Sequence, residues 1–224
     1  PVWLHITLVV AGLVCVALWA ARPFLPEMEV AEDGPAAANP GRSAWLEPRT
    51  LLVGVVVLVA AFTEGTANDW VAIALTDGYD LPAWAGVLGF ATFLGAMTAG
   101  RLLGTGALDK YGRVPVLYAM FALALVGSVL VVFGGPILAF LGTILWGVGA
   151  SLGFPVGMSA ASDEPSRAAA RLSVVATVGY LAFLGGPPLV GYLGDRVGVL
   201  KALLAVGALL IPALLAVPAT REPR

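Results

Sequence analysis

Long apolar blocks constrain this chain more than any other feature. A helix needs about 20 mostly apolar residues to cross a hydrocarbon core of about 30 Å. Seven blocks reach that length: Val2–Ala21, Thr50–Leu75, Leu81–Leu103, Val114–Phe133, Pro136–Met158, Ala168–Leu193 and Val199–Val217. Only 12% of the residues are charged and 59% are hydrophobic, whereas soluble domains carry about a quarter charged residues. Backbone groups in lipid must be satisfied within the segment. The expected fold is therefore an all-α membrane protein with seven transmembrane helices. No basic residue precedes Val2, so the first block reads as a span rather than as a signal peptide, which starts with positive charge.

The blocks are unevenly spaced. Residues 23–48 are rich in Pro, Ala and Glu, with Glu27, Glu29, Glu32, Asp33 and Glu47 and no hydrophobic period. That composition describes a solvated linker. Elsewhere the connections are very short, Gly134-Gly135 among them, and short connections make antiparallel neighbours. The expected layout is one helix in residues 1–22, a linker over 23–48, a tight group of six helices over 49–218, and a short tail over 219–224.

Basic residues in short loops mark the cytoplasmic side of a membrane protein. Arg22, Arg42, Arg49, Arg101, Lys110, Arg113, Arg167, Arg171, Arg221 and Arg224 fall on one set of alternate connections, and only Arg196 and Lys201 on the other. The linker and the C-terminus are thus expected in the cytoplasm, Pro1 outside, and the chain in the cell membrane. The net charge of -2 gives no electrostatic reason to expect a nucleic-acid partner. One cysteine, Cys15, and one histidine, His5, leave no set of residues for a disulfide, a cysteine metal site or histidine-based catalysis. No cofactor and no metal is expected.

Charge inside a span is costly and marks a candidate site. The segment Phe62-Thr63-Glu64-Gly65-Thr66-Ala67-Asn68-Asp69-Trp70 carries two carboxylates within a span. At 1.5 Å per residue Glu64 lies ~22 Å beyond Arg49, which places it past the midplane, in the outer half. Glu64 and Asn68, four residues apart, share a face. Two readings of Glu64 stand: a carboxylate lining a water-filled cavity, binding solute or proton, where desolvation favours the neutral acid; or a structural hydrogen bond to a neighbouring helix. Asp69 either joins that site or is solvated near the outer interface. Trp70 reads as an interface anchor.

Gly149, Gly153 and Gly157 recur every four residues, a stripe that lets a second helix come close. Pro155 and the run Gly185-Gly186-Pro187-Pro188 are expected to bend or break their helices. Either feature serves plain packing, or marks flexing points at Gly153, Pro155, Gly186 and Pro187. Other functions fit less well. A seven-span receptor or light sensor fits poorly with the long linker after the first span, and the two lysines, Lys110 and Lys201, lie in a connection and at a span end rather than deep in a span where a retinal would attach. An intramembrane serine enzyme would need a base beside Ser159, and His5 is the only histidine. The chain is read as a non-enzyme.

The strongest local signal runs from Gly100-Arg101 to Asp109-Lys110-Tyr111-Gly112-Arg113. A carboxylate here can sit at a helix end and pair with arginines. A similar segment, Gly191-Tyr192-Leu193-Gly194-Asp195-Arg196-Val197-Gly198, falls on the opposite side. The first segment resembles the Gly-x-x-x-Asp-Arg/Lys-x-Gly-Arg loop of the major facilitator superfamily. It departs at the leading glycine, because Thr105 stands four residues before Asp109 and Gly104 five. Gly185–Gly191 resembles the glycine-proline stretch in the fifth helix of each half of that family. Glu64-Gly65 with Asp69-Trp70 is similar to the acidic seventh helix of some bacterial members related to sugar permeases.

The resemblance implies a twelve-helix secondary transporter that moves a small solute by alternating access, with proton coupling as a further expectation. The first block would be helix six, the linker the central cytoplasmic loop, and the last six blocks helices seven to twelve. Two three-helix units, 50–133 and 136–217, would form an inverted repeat. Glu64, Asn68 and Asp69 would face solute or proton, and Arg101, Asp109 and Arg113 would hold an inner gate. Pro1 stands where a complete chain has methionine, so the resemblance also implies an N-terminal half that this chain lacks. Its partners would be that half, the solute, protons and the bilayer.

Overall fold

The computed structural model describes residues 43–222, and beyond them only the single positions Gly12 and Val16. The expected span at Val2–Ala21 and most of the linker lie outside the described residues. Helix starts and stops follow local chemistry. Helix α1, Pro48–Tyr79, opens with a proline where the missing N–H has no helical partner to lose. It closes on Asp80 in the left-handed conformation, just before Pro82. Helix α2, Ala83–Tyr111, and helix α3, Arg113–Phe133, meet at Gly112 alone. Helices α4, Gly135–Ala150, and α5, Gly153–Ala161, are two pieces of one span. Helix α6, Ala168–Val197, meets α7, Val199–Ala202, at Gly198. Helix α8, Leu204–Ala216, completes the last span. Short 3-10 turns at Ala44–Leu46 and Val217–Thr220 flank the whole.

Six spans are long and apolar enough to cross a membrane, and no strand occurs among the described residues. Two expectations change. The segment Gly104–Tyr111 is helix rather than loop, since the chain leaves the helical conformation only at Gly112 (φ 77°). And α6 runs unbroken through Pro187 and Pro188. Each proline removes only its own N–H bond, and a transmembrane helix survives that loss when flanking turns and neighbouring helices hold it.

Helix α1 is the centre of the bundle. Its most apolar stretch is 72% buried, against 22% for α2, and it packs on α2, α5, α6 and α8. Small residues allow these contacts. The tightest seam joins α3 to α4: a Cβ added to Gly127 would stand 2.7 Å from the Gly142 carbonyl oxygen, so the two backbones touch directly. The expected stripe of Gly149, Gly153 and Gly157 is divided between partners. Gly149 abuts α3 at Met120 and Ala124, while Gly157 abuts Val57 of α1. The interruption at Ser151-Leu152 between α4 and α5 accounts for the division.

Candidate functional site

Helix α1 is about 48 Å long at 1.5 Å per residue, and Glu64 lies at its middle. Arg101 sits ~15 Å along α2 from Tyr111, well inside its span. The two side chains meet: Arg101 Nη2 donates to Glu64 Oε2 at 2.8 Å. The Glu64 side chain is 16% exposed and that of Arg101 is 43% exposed. Arg101 Nε also donates to the Ser151 carbonyl at 3.2 Å. An intramembrane charge pair thus joins α1, α2 and the interrupted fourth span. Asn68 and Asp69 are exposed on α1 and make no hydrogen bond or ion pair among the described residues.

Arg101 lines a cavity of about 450 Å³ that also holds Asp109, Arg113, Pro155, Ser159 and Glu222. Three of the expected gate residues and one expected flexing residue therefore share one space. Their pairing differs from the expectation. Asp109 is exposed and pairs with neither arginine. Arg113 Nη1 instead donates to both carboxylate oxygens of Asp163, at 2.8 and 3.0 Å. Its Nη2 donates to Ser159 Oγ at 3.1 Å, and Glu222 lies 3.7 Å from its Nε. Asp163, only 6% exposed at its side chain, also accepts from Arg49 Nη2 at 2.6 Å. Arg49 further donates to the Ala219 and Arg221 carbonyls. The reason is geometric: Asp109 is still on α2, whereas Arg113 starts α3 and turns toward the connection between α5 and α6.

A second cluster lies on the same end. Glu47, just before α1, binds Arg167 and Arg171, and Arg171 also reaches Glu164 at 2.9 Å. Burial alone would raise the Glu47 carboxyl. Hydrogen bonds from Arg171 and Thr50, with the charges of Arg171 and Arg167, outweigh burial and hold it below its usual value of 4.5. Asp163, Glu47 and the Ser151 carbonyl were not singled out from sequence. The available signal was the excess of arginine on this end, since buried or half-buried arginines need counterions. Of the flexing candidates, Gly153 begins α5 directly after the interruption, and Pro155 is its third residue. Gly186 meets the Phe62 ring within a continuous helix.

Six apolar spans around a central charge pair define a multi-pass membrane protein. The family model of the Major Facilitator Superfamily matches residues 1–187, and the chain belongs to that superfamily. It is 30% identical over 182 residues to an uncharacterized MFS-type transporter of Yersinia pestis, covering 80% of this chain and 46% of that protein. It is 32% identical over 166 residues to an uncharacterized transporter of Sinorhizobium fredii, covering 69% and 44%. It is 27% identical over 197 residues to the membrane protein MosC of Rhizobium meliloti, covering 87% and 47%. The chain spans about half the length of the curated relatives it matches.

Proposed function

We propose that the chain is the six-helix C-terminal half, with the preceding sixth helix, of a twelve-helix secondary transporter. The transporter moves a small solute by alternating access and couples that movement to protons through Glu64. The observation that carries the reading is the Glu64–Arg101 pair at the middle of the central helix. Charge inside a span is costly unless paired, so a carboxyl group there can serve in two forms, ionised beside a guanidinium or neutral and released from it. Exchange between them takes up or releases one proton and frees or engages Arg101. Asn68 and Asp69, exposed on the same helix, supply polar groups toward the solute. Membership of the superfamily and the transporter names of two relatives support the class.

The end carrying Arg49, Arg113 and Arg171 is cytoplasmic in this reading, by its excess of positive charge, and Pro1 is outside. The membrane is the plasma membrane. The cluster of Arg113, Asp163 and Arg49 serves as the inner gate, with Asp109 left in the adjoining cavity to meet the partner half. Rocking of the two halves then exposes the centre to each side in turn. Residues 23–48 would link the halves and 219–224 form the tail.

The test uses the full-length protein in vesicles with an imposed pH gradient, with an internal pH-sensitive dye and a panel of small solutes. A solute that dissipates the gradient identifies the cargo. Glu64→Gln is expected to lower solute-dependent proton flux by about a hundredfold. Unchanged flux would remove Glu64 from the coupling step.

A further inference from the structure

We propose that Pro155 is a positioning residue: it withholds an N–H from the Ser151 carbonyl, and that carbonyl then fixes the Arg101 guanidinium against Glu64. The proposal rests on the reading of Glu64 and Arg101 as the coupling pair. In an unbroken helix the N–H of residue 155 would bond the carbonyl of residue 151. Proline has no such N–H, and its ring crowds that carbonyl. The helix is interrupted at Ser151-Leu152, one turn ahead of Pro155. Around the interruption Val148 accepts from Ser151 N–H at 3.2 Å, and Leu152 accepts from Val156 N–H at 3.0 Å. The Ser151 carbonyl accepts from Arg101 Nε at 3.2 Å.

Three further features make this contact a built one. Gly100 brings α2 against the interruption, since a Cβ there would stand 2.6 Å from Ser151 Oγ. The carbonyl closes the C-terminal end of α4, where the helix dipole is negative and favours a cation. And a guanidinium is planar, so holding Nε and Nη2 fixes the whole group. Nη1 makes no hydrogen bond among the described residues, and the Arg101 side chain borders the 450 Å³ cavity. When Glu64 is neutral, the Ser151 carbonyl still holds Arg101 in register. The other charged groups bordering that cavity are Asp109, Arg113 and Glu222; α1 carries Arg49, Asp69 and Asp77 besides Glu64, and Arg49 meets Arg113 through Asp163.

The test needs neither solute nor gradient. In the full-length protein labelled with ¹⁵N at arginine side chains, the Arg101 Nε–H resonance is identified by its loss in Arg101→Lys. Its exchange with water should be about tenfold slower than that of free arginine. It should stay slow in Glu64→Gln, because the bond is to Ser151. It should become fast in Pro155→Ala and in Pro155→Gly, both of which return the N–H to the helix. Slow exchange persisting in a folded Pro155 variant overturns the proposal. So does fast exchange in the unaltered protein, a measurement that requires no variant to fold. Failure of the coupling reading would look different: proton flux unaffected by Glu64→Gln, with the Arg101 resonance behaving as described.

Discussion

Two joints of one glycine each, at opposite ends of the bundle, invite comparison. Gly112 links α2 to α3 and Gly198 links α6 to α7. Their dihedrals are alike, φ 77° and ψ 170° against φ 86° and ψ 150°. Each amide bonds back four residues, at 2.8 and 2.9 Å. Each follows Asp, a basic residue and one more: Asp109-Lys110-Tyr111 and Asp195-Arg196-Val197. Each basic group lies over a tyrosine ring, Lys110 over Tyr111 and Arg196 over Tyr192. The surroundings then diverge. Arg113 is locked onto Asp163, whereas Lys201 and Asp77 border a 280 Å³ gap without an ion pair. At that end Tyr79 donates instead to the Val131 and Val132 carbonyls. The same local sequence makes the same joint, and distant residues decide whether it becomes a charged latch.

The comparison can be broken most forcefully at Asp163. Asp163→Ala strands Arg49 and Arg113, and the expected loss is about 3 kcal/mol, read as a lower unfolding midpoint of the full-length protein in detergent. A loss below ~1 kcal/mol, the scale of an exposed pair, would make the latch ornamental. Gly112→Ala and Gly198→Ala should each cost about 2 kcal/mol, because both glycines occupy backbone space nearly closed to other residues. Equal losses sharpen the likeness of the joints; a loss confined to Gly112 would deny it. Acidification comes third. Glu47 is held below its usual value, so its contribution is complete above pH 4.5 and disappears as pH falls through the lower folded value. Stability should fall over that limb, read as a lower unfolding midpoint, and Glu47→Gln should flatten it. Lys201→Ala should change stability by less than ~0.5 kcal/mol, and a larger drop would reveal a latch at the second joint too.

Much of this architecture is written locally. The six described spans follow from apolar length, and their ends from Pro48, Pro82, Gly112 and Gly198. Glu64 is conspicuous as a charge within an apolar block, whereas Arg101, at the end of Leu81–Leu103, reads from sequence with the connection that follows. Their pairing is not legible, because it depends on how α1 and α2 cross, and nearness in sequence points Arg101 toward Asp109 instead. Asp163 is illegible for the same reason: nothing near it in the chain reveals the two arginines it serves. Pro155 was legible as a helix breaker but not as the source of a free carbonyl. That role requires Gly100, fifty-odd residues earlier, to bring Arg101 alongside. Pro187 and Pro188 show the converse, since the same residue type leaves α6 continuous where packing sustains it.

The seam between α3 and α4 has a mechanical meaning. Side chains between two helices act as bearings, because rotamers can change as the helices slide. Where Gly127 meets Gly142 there are no bearings, and sliding would force one peptide plane to climb over another. The two helices form a laminated plank, stiffer than either alone. Any motion of this bundle must take place around that plank, at the contacts α1 makes through Phe62, Val57 and Trp70.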